Sequence, residues 1–334
     1  MTGPTIPAPF LSIVVPCFNE QIVLPETARQ LTLLLESLVE TDAVGKGSHI
    51  CFVDDGSTDD TWGIIEALSA ASPWVQGIKL TRNRGHQNAL LAGLFNSRGD
   101  IVITVDADLQ DDLNAMAAMV RAYRDGSQIV YGVRKRRDLD SPFKRWTAVL
   151  YYRMLRRMGV ELVFNHADYR LMSRMAIEAL REYNETNLFL RGIIPQLGFS
   201  SSTVEYDRGK RFAGESKYPL KAMLALAIQG ITSFSTVPLR AITLLGLLVS
   251  ILSCGFTAWA LIARFFTHNV VPGWASTVVA IYFLGGIQLL CIGVLGEYLS
   301  KTYMETKRRP RFIVEKRIGK FQPATSVEMN CNDL

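Results

Sequence analysis

Asp106 and Asp108 stand one residue apart, directly after the apolar run Ile101 to Val105, in the stretch VDADLQD (105–111). Two carboxylates at a strand end point to the same side if the chain turns there. Such hard oxygen donors suit Mg²⁺ or Mn²⁺, a cation that shares its shell with substrate phosphates. Leu109-Gln110-Asp111 follows at once. A second acidic pair, Asp54-Asp55, ends the run His49 to Val53. One acid can accept from a base N–H or a ribose hydroxyl, while the other caps the next helix. Gly56 lets backbone approach a ligand. Asn83-Arg84-Gly85 forms a turn that brings Arg82 and Arg84 near the same place, and His86 reads as a helix N-terminal residue and no more.

These clusters need a frame that gathers strand ends. Branched, apolar runs at Leu11–Val15, His49–Val53, Val75–Leu80, Ile101–Val105 and Ile129–Val133 read as strands. Helical spacing covers Glu26–Glu40 and His86–Ser97, and Ser57 or Thr58 can cap the helix between. Strand–helix alternation with nearly continuous apolar strands predicts an α/β fold, a doubly wound and mainly parallel sheet. In such sheets ligands sit at the carboxyl ends of the strands, where every polar cluster falls.

The chain has 334 residues, 49% apolar and 20% charged, with a net charge of +5. That excludes a disordered tail or a disulfide mini-protein and gives no argument for nucleic acid. The five cysteines form no CxxC pair, which suits a reduced compartment. The apolar residues are unevenly spread. Residues 241–263 and 274–296 are two stretches of 23 without a charged side chain, each about 34 Å long as a helix against about 30 Å of hydrocarbon. With the short connector 264–273 they predict a transmembrane hairpin. Lys301, Lys307, Arg308, Arg309, Arg311, Lys316, Arg317 and Lys320 follow it, so the positive-inside rule puts both termini and the N-terminal part in the cytosol. No signal peptide is expected in Met1–Pro9. Residues 217–236 have helical apolar spacing after Lys217 and predict a helix lying in the inner interface.

PCFNE (16–20), VDDGSTDDT (53–61), RNRGHQNALLAG (82–93) and VDADLQD (105–111) together resemble the GT-A glycosyltransferases of family 2. ADYRLMSR (167–174), NLFLRGI (187–193), RFAGESKY (211–218), GITSFSTVPLR (230–240) and LGEYLSKTYMETKRRPRF (295–312) resemble the polyisoprenyl-phosphate glycosyltransferases, most closely the bactoprenol glucosyltransferases. The dense basic cluster Arg134 to Arg137 departs from that pattern. The resemblance implies a Rossmann-like GT-A domain over 11–210 after a tail of 1–10. It implies a loop and interfacial helix over 211–238, the hairpin over 239–297 and a basic cytosolic tail over 298–334. It places Pro16, Glu20, Val53, Asp55, Asp106, Ala107, Asp108, Arg211 and Lys217 around the nucleotide sugar. It gives the metal to Asp106, Asp108 and Gln110. Asp168 and Arg170 then lie at the sugar–acceptor junction, counted with Asp106 and Asp108 as catalytic. Arg134, Lys144, Arg145 and Ser216 face the acceptor phosphate.

The activity implied is inverting transfer of glucose from UDP-glucose to undecaprenyl phosphate at the inner membrane, feeding O-antigen or cell-envelope glycosylation. A flippase and a downstream membrane glycosyltransferase are the implied partners, and a tetramer the implied assembly. Alternatives within the enzyme class are a dolichol-phosphate-mannose-synthase-like or aminoarabinose-transferase-like enzyme. Outside it stands a membrane scaffold that keeps a nucleotide-binding fold, which predicts broken acidic pairs where both are intact. A processive polysaccharide synthase is disfavoured, because Arg145-Trp146 follows Pro142 where QxxRW needs Gln.

Overall fold

The structure is a computed structural model that describes residues 7–135, 166–185, 190–207, 209, 239, 242–249, 251–252, 255 and 273–319. The chain divides into two compact units. One comprises Met1–Val149, Leu162–Lys217 and Pro310–Leu334, the other Leu150–Glu161 and Tyr218–Arg309.

The first unit is built on one sheet of eight strands: β1 (Leu11–Cys17), β2 (His49–Asp54), β3 (Val75–Leu80), β4 (Ile101–Thr104), β5 (Ile129–Arg134), β6 (His166–Ser173), β7 (Ser201–Tyr206) and β8 (Val314–Ile318). Their order is β7-β5-β6-β4-β1-β2-β3-β8. The pairs of β1 with β2 and β4, of β2 with β3 and of β5 with β7 are parallel. Only β6 and β8 run against the rest, pairing antiparallel with their neighbours. The mainly parallel sheet expected from the sequence is therefore present. All seven residues of β1 and all six of β2 are buried, as strands covered on both faces must be.

Helices α1 (Leu24–Glu40), α2 (Thr61–Ala71), α3 (His86–Asn96), α4 (Ala115–Arg124), α5 (Arg174–Arg181) and α6 (Leu190–Gln196) connect these strands. In α1 the apolar spacing of Leu24, Ala28, Leu31, Leu35 and Leu38 makes the buried stripe, and Pro25 suits its first turn. Gly93 lets α3 sit directly on the sheet. A Cβ there would lie 2.2 Å from Val14 Cγ1 and 3.1 Å from Val53 Cγ2.

Two elements differ from expectation. The fifth expected strand forms, but β6 separates it from β4. Val314–Ile318, assigned to a cytosolic tail, is the edge strand β8. It pairs with β3, and Lys316 and Arg317 reach Glu66 and Asn96. Its partner lies more than 230 residues upstream, so no local pattern marks it.

In the second unit, α7 (Trp274–Thr306) contains the expected second span and continues ten residues past Gly296. Its stretch Phe283–Thr306 is long and apolar enough to cross a membrane, and none of its most apolar part is buried. Phe283, Leu289, Ile292 and Leu299 are all exposed, whereas a core helix of a soluble domain would cover its apolar residues. The first expected span is helical at 242–249 and 251–252, and most of its remainder lies outside the described residues. So does the expected interfacial helix at 217–236.

Candidate active site

The crevice opens where the strand order reverses, between β1 and β4. Val14 accepts from Val105 N–H on the β4 side, and Cys17 accepts from Asp55 N–H on the β2 side. Successive residues of a parallel strand address opposite neighbours, so Pro16 turns its missing N–H toward β4. The β1–β4 ladder has already ended at Val14 and Thr104. A proline is thus tolerated in a central strand because the strands part there, and the parting makes the pocket. Pro16 and Val53 are register partners in the buried floor.

Short polar residues sew the first two loops together. Asn19, in the left-handed region at φ 56°, accepts from Thr58 N–H and donates its own N–H to Ser57 Oγ. Glu20 N–H goes to Thr61 Oγ1 at 2.9 Å, which ties the turn before α1 to the start of α2. Asp54 caps the turn through Ser57 N–H, and its other oxygen is buried with no partner among the described residues. Asp55 accepts from Arg84 N–H at 2.7 Å and Gly85 N–H at 2.8 Å. It therefore holds the β3–α3 loop as well as lining the crevice. Gly56, at φ 70°, approaches the backbone of Arg82 and Asn83, where a Cβ would come to 2.6 Å. The close approach expected toward a ligand is made to the protein's own loop.

Asp106 and Asp108 follow β4. Thr27 of α1 donates to the Ala107 carbonyl at 2.7 Å and fixes the backbone between them. Asp108 accepts from Gln110 N–H at 3.2 Å across the turn at Leu109, φ 55°. The Asp106 side chain is partly buried, with 38% of its surface exposed. Carboxylate oxygens are the ligand type a divalent cation takes together with phosphates and water, and among the described residues no group of three or more carboxylate, imidazole or thiolate side chains stands together to hold one alone. Burial pushes the Asp106 carboxyl up to about 6; Asp168, Asp111 and Asp108 add to the rise and His86 opposes it.

β6 brings the second set of charges. Asp168 and Arg170, two apart, share one face of the strand, and Arg170 Nη2 bonds Asp168 Oδ1. Arg191, from the first turn of α6, forks onto the same carboxylate at 3.2 and 3.0 Å. Gln87 Oε1 accepts from Leu190 N–H and sets that turn beside α3. His86 Nε2 lies 3.5 Å from both Asp106 Oδ1 and Asp168 Oδ2. Burial alone would raise the Asp168 carboxyl, but the His86 hydrogen bond and the Arg170 and Arg191 charges hold it well below the usual carboxylate range. Sequence reasoning gave no role to His86 or Arg191. Arg191 sits in the quoted NLFLRGI stretch, but only the tertiary fold shows what it faces. Tyr169 and Leu171, on the other face, are core as expected.

Arg134 ends β5 and binds Asp111, with Tyr206 hydroxyl donating to the same Asp111 oxygen at 2.6 Å. Gly209 N–H bonds the Gln110 carbonyl at 2.8 Å. Lys144, Arg145, Arg211, Ser216 and Lys217 lie outside the described residues.

Polar side chains gathered at the switch point of a mainly parallel sheet mark where such a fold takes its ligand, and the comparisons give the chain a family. Residues 12–181 match the model described as Glycosyl transferase family 2. An uncharacterized glycosyltransferase of Bacillus subtilis, YkoT, is 49% identical over 92% of this chain and 91% of its own length. A prophage bactoprenol glucosyl transferase homolog of Escherichia coli K12 is 40% identical over 92% of this chain and 98% of its own. The bactoprenol glucosyl transferase of Shigella phage SfX is 40% identical over 92% and 99%. With matches of this length and identity spanning β1 to β6 and well past them, the chain belongs to glycosyl transferase family 2.

Proposed function

We propose that this protein is a membrane-anchored, inverting glycosyltransferase that moves glucose from UDP-glucose onto undecaprenyl phosphate. The observation that carries the reading is one chain joining two features. One is a family 2 pocket with paired carboxylates at the switch point; the other is an exposed apolar helix at Phe283–Thr306. Relatives named bactoprenol glucosyl transferase align over a length too great to omit that helix.

The chemistry asks a protein to hold two anions together. A phosphate monoester has a second pKa near 6, so the acceptor is largely ionised at neutral pH and needs no strong base. Asp168 suits that requirement: engaged by two guanidiniums and an imidazole, it is a weak base and serves to orient Arg170 and Arg191. Asp106, Asp108 and Gln110 would hold Mg²⁺ or Mn²⁺, and a cation there would supply positive charge to offset that of the leaving diphosphate. Pro16, Glu20, Val53 and Asp55 form the nucleotide side, with Ala107 between the metal carboxylates. Arg211 and Lys217 close over the diphosphate. Arg134, Lys144, Arg145 and Ser216 face the acceptor phosphate. Displacement on the face opposite the diphosphate gives a β-linked lipid phosphate from an α-linked donor.

Two spans with the pocket and both termini in the cytosol follow from the basic residues after Tyr298. A tetramer, a flippase and a downstream membrane glycosyltransferase complete the proposed setting. Membranes bearing the protein, incubated with labelled nucleotide sugars in turn, test the assignment. Label from UDP-glucose should enter the organic phase only when undecaprenyl phosphate is present. Lipid label from GDP-mannose alone, or none at all, would refute it.

A further inference from the structure

We propose that His86 is a positioning residue that ties the metal-side carboxylate of Asp106 to the Asp168–Arg170–Arg191 cluster, so that the donor and acceptor ends of the pocket move as one unit. The inference rests on the proposed transferase reading.

The need for such a tie comes from strand register. β4 and β6 pair antiparallel, Ile101 with Ser173 and then stepwise to Thr104 with Arg170. Continuing that register by two residues sets Asp106 opposite Asp168. Two carboxylates facing across strands repel, and like charges directly opposite destabilise a sheet. A donor between them removes the conflict. His86 Nε2, at 3.5 Å from an oxygen of each, stands in that gap. Arg170 holds Asp168 at Oδ1 and Arg191 at both oxygens, while His86 reaches Asp168 Oδ2 and Asp106 Oδ1.

His86 is itself held. It opens α3 directly after Gly85, whose φ of 88° directs the chain into the helix. The Asp55 carboxylate clamps the N–H groups of Arg84 and Gly85. Gln87, the next residue, binds the start of α6 and so sets Arg191. Asp55 at the end of β2 thereby controls, through one loop, the separation of carboxylates at the ends of β4 and β6. His86 is 44% exposed, so its side chain adds little to the packed core.

Two variants, His86→Ala and His86→Gln, test this beside the parent in the same assays. Glutamine keeps a donor at similar reach. His86→Ala should lower kcat about tenfold or more, within the range for a lost positioning or charge-stabilising group, while KM for the donor stays within about twofold. His86→Gln should recover most of that loss, and thermal midpoints of all three should agree within about 2 °C. A readout free of turnover is Mn²⁺ binding, followed by electron paramagnetic resonance with UDP or GDP present. His86→Ala should weaken Mn²⁺ at least about threefold, because Asp106 is no longer held. That measurement separates the two ideas: an inactive parent whose Mn²⁺ affinity still depends on His86 counts against the transferase reading alone. Unchanged kcat and Mn²⁺ affinity in His86→Ala, or a loss that tracks a fallen midpoint and is not recovered by glutamine, would overturn the positioning role.

Discussion

Replacing Arg170 with Met should cost stability that can be worked from its surroundings. Arg170 is 1% exposed and its Nη2 bonds Asp168, while Nη1 has no partner among the described residues. Removing one member of a buried ion pair costs about 3–5 kcal/mol, because the remaining charge is left in a poor solvent. Asp168 retains Arg191 and His86, and Met fills most of the vacated apolar volume. Both place the loss near the lower end, about 3 kcal/mol. For a domain of roughly 200 residues, at 2–4 °C per kcal/mol, the thermal midpoint falls by about 6–12 °C. Circular dichroism melts of detergent-solubilised protein at pH 7 measure this. Combining the change with Asp168→Asn should give a smaller loss than the sum of the singles, with a coupling of at least about 1 kcal/mol. A midpoint within about 2 °C of the parent, or strict additivity, would refute the claim that this pair is a buried, mutually dependent unit.

Other outcomes follow from the same structure. Asp168 titrates well below an ordinary carboxyl in the folded state, so its stabilisation is fully present above about pH 4 and is lost as pH falls further; the midpoint gap between parent and Asp168→Asn should narrow there. Gly93→Ala forces a Cβ to within 2.2 Å of Val14 and should cost about 1–3 kcal/mol by chemical denaturation, whereas an unaltered midpoint would contradict the close seat of α3. Ending the chain before Pro310 removes β8 and bares the β3 edge, so amides of Gly77 and Lys79 should lose hydrogen-exchange protection. Asp106→Asn or Asp108→Asn should each cut turnover at least about a hundredfold, and chelator should abolish activity reversibly.

Much of the site was legible because β1 to β4 are local, apolar runs that each end in a polar cluster. Those runs alone gather Asp55, Asp106 and Asp108 at one edge. Pro16 is harder: as a local breaker it ends the first run, and it belongs in β1 only because β4 has already turned away. The resemblance already grouped Asp168 with Asp106 in one site, but the register that sets them opposite each other was not visible. That register depends on β6 inserting antiparallel between β4 and β5, and strand order is a long-range property. His86 was missed for the same reason, since an N-terminal helix residue gains meaning from what the register sets beside it. β8 pairs across more than 230 residues and shows only as a short basic stretch. The apolar helix needed no tertiary information, because length and the absence of charge already define it.

The most direct test is the structure of the product. Purified protein reconstituted with undecaprenyl phosphate and UDP-glucose should release UDP in equal amount with a new lipid phosphodiester. Proton and phosphorus magnetic resonance should show a single glucose in β linkage to phosphate. Free glucose accompanying UDP, an α-linked product, or no lipid phosphodiester under conditions where the protein binds UDP would contradict inverting transfer to a lipid phosphate.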